Sequence, residues 1–284
     1  MAKYPAEKIR NIALIGHGSS GKTSLTSAFL FNSGATNRLL KVDAGNTVTD
    51  YDPDEIERKI SINAALCHFE WKKHKINLID CPGYTNFLWD TRASLRAVDA
   101  GVVTVCGVAG VEVGTEKGWN MLVDLNLPRI IVINKLDREN SDFDRTVEGV
   151  QQFFGRNAVP VQLPIGREKN FKGVVDLVQK KAYLFEGGGS GKMTEGEIPA
   201  DMKEAVDKKI EELTEMVAEN DEKLMEKYFE SGELTTQEVI QGLNKSILKG
   251  EFFPIFAASS LTNIATQPIL DGVVNFLPSP IQRG

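Results

Sequence analysis

Apolar residues in the first half of the chain come in short blocks whose spacing switches between two periods. Ile9–Ile15 is a β-branched run that stops at glycine and serine, and Lys22–Asn32 behind it has helical spacing. Ser61–Trp71 and Lys75–Ile79 read as strands, and Phe87–Val98 and Glu116–Leu125 as helices. Gly101–Cys106 and Arg129–Ile133 are nearly all apolar, the pattern of strands buried on both faces. Strand alternating with helix predicts an α/β domain with a mostly parallel sheet flanked by helices.

The pattern changes from Pro164 to Glu251, which is richer in Lys and Glu. Met202, Val206, Ile210, Leu213 and Val217 share one face of a predicted helix. A second helix opens with a capping box, Thr235-x-x-Glu238, carries Val239, Ile240, Leu243 and Ile247 inward, and stops at Gly250. A glycine loop, Gly187–Gly191, precedes both. Pro254–Ala258 then reads as one more buried strand, and Gln267–Leu277 as a last helix ended by Pro278. The expected organisation is a first part over 1–163, an inserted α+β subdomain over 164–251, and a last strand and helix over 252–280. Residues 281–284 are expected to be a linker toward a following domain.

Composition narrows the classes. Of 284 residues, 42% are hydrophobic, enough for a real core rather than a disordered chain. The formal charge of −6 argues against a basic nucleic-acid coat, and no specific DNA partner is expected. Cys67, Cys81 and Cys106 include no C-x-x-C pair and suggest a reducing compartment. Residues 1–10 mix charges with no apolar stretch behind them, unlike a signal peptide. The apolar run Ala100–Val111 is shorter than the about 18 residues of a membrane span. A soluble, cytoplasmic monomer that does not use a membrane is expected.

The chemistry sits at strand ends. Gly16-His-Gly-Ser-Ser-Gly21-Lys22-Thr23 matches G-x-x-x-x-G-K-[ST] between a strand and a helix. Its glycines let backbone N–H groups converge on phosphate oxygens, and the helix N-terminus adds its dipole. Gly18, Ser19, Ser20, Gly21, Lys22, Thr23 and Ser24 are the expected phosphate contacts. Lys22 would neutralise the β and γ phosphates, and the Thr23 hydroxyl would ligate Mg²⁺. The similar Gly189-Ser-Gly191-Lys192-Met193 has Glu186 and Met193 where glycine and hydroxyl are required, and reads as a loop.

Asp80-Cys81-Pro82-Gly83 follows a strand. Asp80 would hold Mg²⁺ through a water, and the Gly83 N–H would reach the γ-phosphate and report its presence. Asn134-Lys135-Leu136-Asp137 ends another strand. The Asp137 carboxylate accepts two hydrogen bonds from guanine and finds no matching pair of donors on adenine. Leaving it unpaired costs about 1–3 kcal/mol, enough to choose the base. Ser259-Ser260-Leu261 stands where a backbone N–H would meet the guanine O6. Together these elements define a P-loop NTPase that takes GTP or GDP.

The chain resembles the GTP-binding domain of translational GTPases of the elongation factor G group. The resemblance rests on Gly16–Thr23, Glu57-Arg-Lys-Ile-Ser61-Ile, Asp80–Tyr84, Asn134–Asp137, Leu277-Pro-Ser-Pro280 and the insert before Ser259. It covers nearly the whole chain but only the first domain of such a factor. It implies a GTPase stimulated by the ribosome, with Mg²⁺ held by Thr23, Ser61 and, through water, Asp80. It also implies that ribosomal stalk proteins meet the insert. Translocation is the first role implied, with ribosome recycling or protection as alternatives.

Four departures stand out. The family pattern has Asp at Ser19, Gly and Thr at Lys59 and Ser61, and a water-positioning His at Tyr84. Ser61 keeps a hydroxyl. A phenol loses its proton only near pH ~10, which makes tyrosine a poor base at neutral pH. A loose phosphoryl-transfer transition state needs alignment more than a base. Tyr84, with Gly83 and Lys22, is therefore either part of the catalytic group or an aromatic packing in switch II. The second case suits a GTP-gated binding module with little hydrolysis. His17 reads as structural, and His68 and His74 lack ligand spacing. Arg58 is either a solvated switch residue or a contact to phosphate or ribosome.

Overall fold

The computed structural model describes residues 4–283. From the N-terminus, β1 (Ile9–Gly16) leads through a tight loop into α1 (Lys22–Asn32). A long segment holding the short α2 (Pro53–Arg58) follows, then β2 (Ala65–Trp71) and β3 (His74–Asp80). Next come α3 (Leu88–Ser94), β4 (Ala100–Cys106), α4 (Val113–Asp124), β5 (Arg129–Asn134) and α5 (Phe143–Phe154). Five short strands come next in the chain, β6 (Ala158–Pro160), β7 (Gln162–Ile165), β8 (Gly173–Asp176), β9 (Lys181–Phe185) and β10 (Met193–Gly196). Helices α6 (Lys203–Glu219), α7 (Glu222–Ser231) and α8 (Thr236–Leu248) precede β11 (Phe253–Ala257), α9 (Thr266–Phe276) and α10 (Pro280–Arg283).

The main sheet has the order β2-β3-β1-β4-β5-β11-β6, and every pairing is parallel except β2 with β3. All residues of β4 and β5 are buried, as the apolar runs predicted. Alternate residues supply two cores. Ile12, Leu14, Ile76, Leu78, Val102 and Ile130 meet Leu25 and Phe29 of α1 and Ile269 and Val273 of α9. Ala13, Ile15, Val103, Val105, Ile131 and Ile133 meet Trp119 and Leu122 of α4 and Val150 and Phe154 of α5.

The smaller sheet, β10-β9-β8-β7, is antiparallel and begins at Gln162. Its Val175 and, just after β8, Leu177, with Val206, Leu213, Val217, Leu243 and Ile247 of α6 and α8, share one apolar cluster with Phe252 and Phe256. The capping box at Thr235 and Glu238 is formed, and α8 leads into Gly250 at φ 72°.

The structure corrects several element boundaries. The strand expected from Ser61 starts only at Ala65, because buried Glu55 takes the N–H groups of Ile62 and Asn63 on its Oε1, each at 2.9 Å. Those donors are lost to the sheet. The helix expected over Phe87–Val98 is α only to Ser94 and tightens to 3₁₀ over Leu95–Ala97. The helix expected from Glu116 begins at Val113. The insert also holds a third helix, α7, that the pattern does not predict. It has no fully buried residue, so its stripe of Leu224, Met225 and Tyr228 is weak, and its Asp221 N-cap and Gly232 stop were the available signals. Among the described residues no helix is long and apolar enough to cross a membrane.

Candidate nucleotide site

Strands β1, β3, β5 and β11 all deliver their C-terminal ends to one edge of the sheet, and β1 lies between β3 and β4. Chain connections diverge there, where open α/β sheets form their binding crevice. Gly16 ends β1 at φ 145° with its Cα against Thr104; a side chain there would lie 2.6 Å from the Thr104 hydroxyl. The loop behind it is held by Ser20 N–H donating to His17 O at 3.2 Å. Lys22 is buried, and its ammonium donates to Gly16 O at 3.1 Å and His17 O at 2.9 Å. Burial lowers its pKa, opposed by the nearby Asp80 and Asp50.

Two hydroxyls and two carboxylates meet beside Lys22. Thr23 Oγ1 and Ser61 Oγ are 3.0 Å apart, Ser61 donates to Asp50 Oδ1 at 2.7 Å, and Thr49 donates to Asp80 Oδ2 at 2.7 Å. Asp50 Oδ2 and Asp80 Oδ1 are buried without a partner. Desolvation pushes the Asp50 carboxyl up to about 6, helped by Asp80 and Glu55 and opposed by the Ser61 hydrogen bond. Desolvation also raises Asp80, against the hydrogen bond from Thr49 and the charge of Lys22. Two buried acids facing one buried ammonium leave a local excess of negative charge and two unpartnered oxygens. Hard oxygen donors of this kind fit a small divalent cation.

At the other end, the Asn134 amide braces three loops. Its Nδ2 donates to Ser20 O and to Ser260 Oγ, each at 3.0 Å, and its Oδ1 accepts from Ser260 N–H at 2.9 Å. Ser259 donates to Asp137 Oδ1 at 2.6 Å and receives Thr262 Oγ1 at 2.7 Å, which fixes the carboxylate. Lys135 stands at φ 67° and lines the cleft with Leu261.

Most of the residues expected at the site line a single cleft: Gly18, Ser19, Gly21, Lys22, Thr23, Ser24, Ser61, Gly83, Tyr84, Lys135, Ser260 and Leu261. Ser20, Asp80, Asn134 and Ser259 are buried just behind it as supports. Asp137 opens on an adjoining groove with Thr262. Tyr84 Oη lies 3.1 Å from Ser19 Oγ. The sequence reading missed Asp50, Thr49, Lys41 and Arg138, of which all but Thr49 line the cleft. Nothing in their spacing marks them, since they come from irregular loops and from the position after a motif.

Other candidates behave as structure. His17 Nδ1 accepts from Gly114 N–H at 3.2 Å, and its Nε2 lies 3.5 Å from Glu112. His68 is exposed on β2, His74 Nδ1 contacts Lys72 O at 2.9 Å, and Arg58 is exposed. Lys192 of the glycine loop pairs with Glu186 at 2.6 Å.

A phosphate loop, an acidic hydroxyl-lined pocket and a braced Asn-Lys-x-Asp loop on one sheet edge define a guanine-nucleotide-binding domain of the P-loop class. The chain matches the family described as Elongation factor Tu GTP binding domain over residues 7–279. It superposes on the crystal structure of ttk003000868 from Thermus thermophilus with a TM-score of 0.91 at 35% identity. That match covers 98% of this chain and 41% of the other, so this chain spans less than half of that protein's length. The chain belongs to this family, as the GTP-binding domain of an elongation factor G-like translational GTPase.

Proposed function

We propose that this domain binds GTP with Mg²⁺, hydrolyses it to GDP and phosphate, and serves a ribosome-associated elongation factor of the translocation type in the cytoplasm. The observation that carries the reading is the cleft itself, with Lys22, Thr23 and Ser61 at one end and the Asn134–Ser260 brace at the other. Lys22 neutralises the β and γ phosphates, and the Gly83 N–H meets the γ-phosphate. Thr23 and Ser61 would hold Mg²⁺, with Asp80 and Asp50 acting through water. The cation, when bound, offsets phosphate charge. Tyr84 orients the attacking water, and Asp137 reads guanine. The domain acts as a monomer, and the insert is the surface for ribosomal stalk proteins.

The test is GTP turnover by the full chain with and without ribosomes at fixed Mg²⁺. Stimulation supports the reading. Tight GTP binding with flat, negligible turnover favours a GTP-gated binding module. A recycling or protection role is separated from translocation by assaying each of these reactions directly on ribosomes.

A further inference from the structure

Switch II touches the phosphate loop at two points. The Gly18 N–H donates to Gly83 O at 3.1 Å, and the Tyr84 and Ser19 hydroxyls share a hydrogen bond at 3.1 Å. Between these points the Tyr84 ring lies directly on Gly18: a side chain at 18 would come within 2.7 Å of three ring atoms. Ser19 holds φ 63°, a left-handed conformation that non-glycine residues rarely adopt. Among the described residues this exposed loop serine makes one side-chain hydrogen bond, and it is with Tyr84. Both residues line the nucleotide cleft.

We infer that Ser19 is a positioning residue for Tyr84, and that the two hydroxyls work as one pair. A tyrosine hydroxyl on a loop is free to rotate about its ring bond and to swing with its side chain. With one hydrogen bond fixed by Ser19, the remaining donor or acceptor direction of Oη is fixed as well. The same hydrogen bond also fastens Tyr84, and with it the start of switch II, to the phosphate loop. The inference deepens the proposed hydrolytic role of the cleft and rests on it for the catalytic consequence. The fastening itself does not depend on that role.

A double-mutant cycle with Ser19→Ala and Tyr84→Phe in the full chain tests the pair through two readouts. The first is amide hydrogen exchange of residues 83–88 without nucleotide. Each single variant and the double variant are expected to raise it by the same factor. The second is single-turnover hydrolysis of bound GTP, expected to slow by about 10–100-fold in all three, the scale of a misplaced reacting group. Ser19→Asn tolerates the left-handed backbone and keeps a polar tip, so it is expected to stay closer to wild type than Ser19→Ala in both. The pair is overturned if Ser19→Ala leaves exchange at 83–88 unchanged, or if the two single effects simply multiply. Failure of the wild-type chain to bind a fluorescent GTP analogue would sink the functional reading instead, and the exchange cycle would still decide the pair.

Discussion

At the base end of the cleft, Asn134 uses both atoms of its amide, and Ser259 and Ser260 satisfy their neighbours from the end of a buried strand. At the phosphate end, Asp50 and Asp80 each keep a buried oxygen with no partner, and Asp50 and Ser61 come from a loop outside the sheet. The first end is finished by the protein alone. The second is finished only when charge of the opposite sign arrives, because unpaired buried carboxylates are costly. Base selection is therefore expected to be preorganised, and cation binding beside Asp50 and Asp80 to stabilise the fold by mass action.

The largest expected effect comes from breaking the unfinished end. Lys22→Ala removes the buried ammonium that faces both acids, and Mg²⁺–GTP affinity is expected to fall about 100-fold or more, the scale of lost charge-assisted contacts. Fluorescence competition measures it; affinity within threefold of wild type would refute the assignment. Asp50→Asn separates the ends more finely. It is expected to raise the stability of the nucleotide-free chain by about 1–2 kcal/mol by relieving a buried charge. At the same time it should weaken the Mg²⁺ dependence of GTP binding, leaving the preference for guanine intact.

The insert supplies a control acid. Asp176 sits in the smaller sheet, where burial pushes its carboxyl up to about 6 against hydrogen bonds from the Gln179 and Val178 N–H groups. Its folded pKa exceeds its unfolded value, so its contribution is complete below the unfolded pKa and is lost as pH rises through about 6. Stability is expected to fall by about 1–3 kcal/mol between pH 4 and 7, and Asp176→Asn should flatten that slope. Denaturation midpoints at several pH values check it. Saturating Mg²⁺–GTP should leave the Asp176 part of the slope in place, since no ligand reaches it. The smallest effect is expected at the insert surface: Thr235→Ala should cost about 1 kcal/mol through loss of the α8 cap, with GTP affinity unchanged.

What could be read from the chain follows the same division. Strand-end motifs such as Gly16–Thr23 and Asn134–Asp137 are legible because each sets its residue types at fixed short spacing, even where its contacts, as from Asn134 to Ser260, join residues 126 apart. The all-apolar strands were legible for the same reason. Asp50 was not, since its role depends on Ser61 and Asp80 arriving from distant segments. The strand that failed to begin at Ser61 shows tertiary context overriding propensity, through the carboxylate of Glu55. Helix α7 escaped because it packs a partly buried stripe rather than a full face. The Ser19–Tyr84 contact joins residues 65 apart and leaves no mark on either local sequence.

The central claim is that a preformed guanine-reading end is joined to a phosphate end completed by its ligand. Calorimetric titration of the chain with Mg²⁺ complexes of GTP, inosine triphosphate and ATP tests it most directly. Inosine triphosphate lacks the exocyclic amine that Asp137 is proposed to accept from, so the account predicts binding about 10–100-fold weaker than GTP, with ATP weaker still. Removing Mg²⁺ should weaken all three by a similar factor. Equal affinity for GTP and ATP, or no heat with either, would contradict the account.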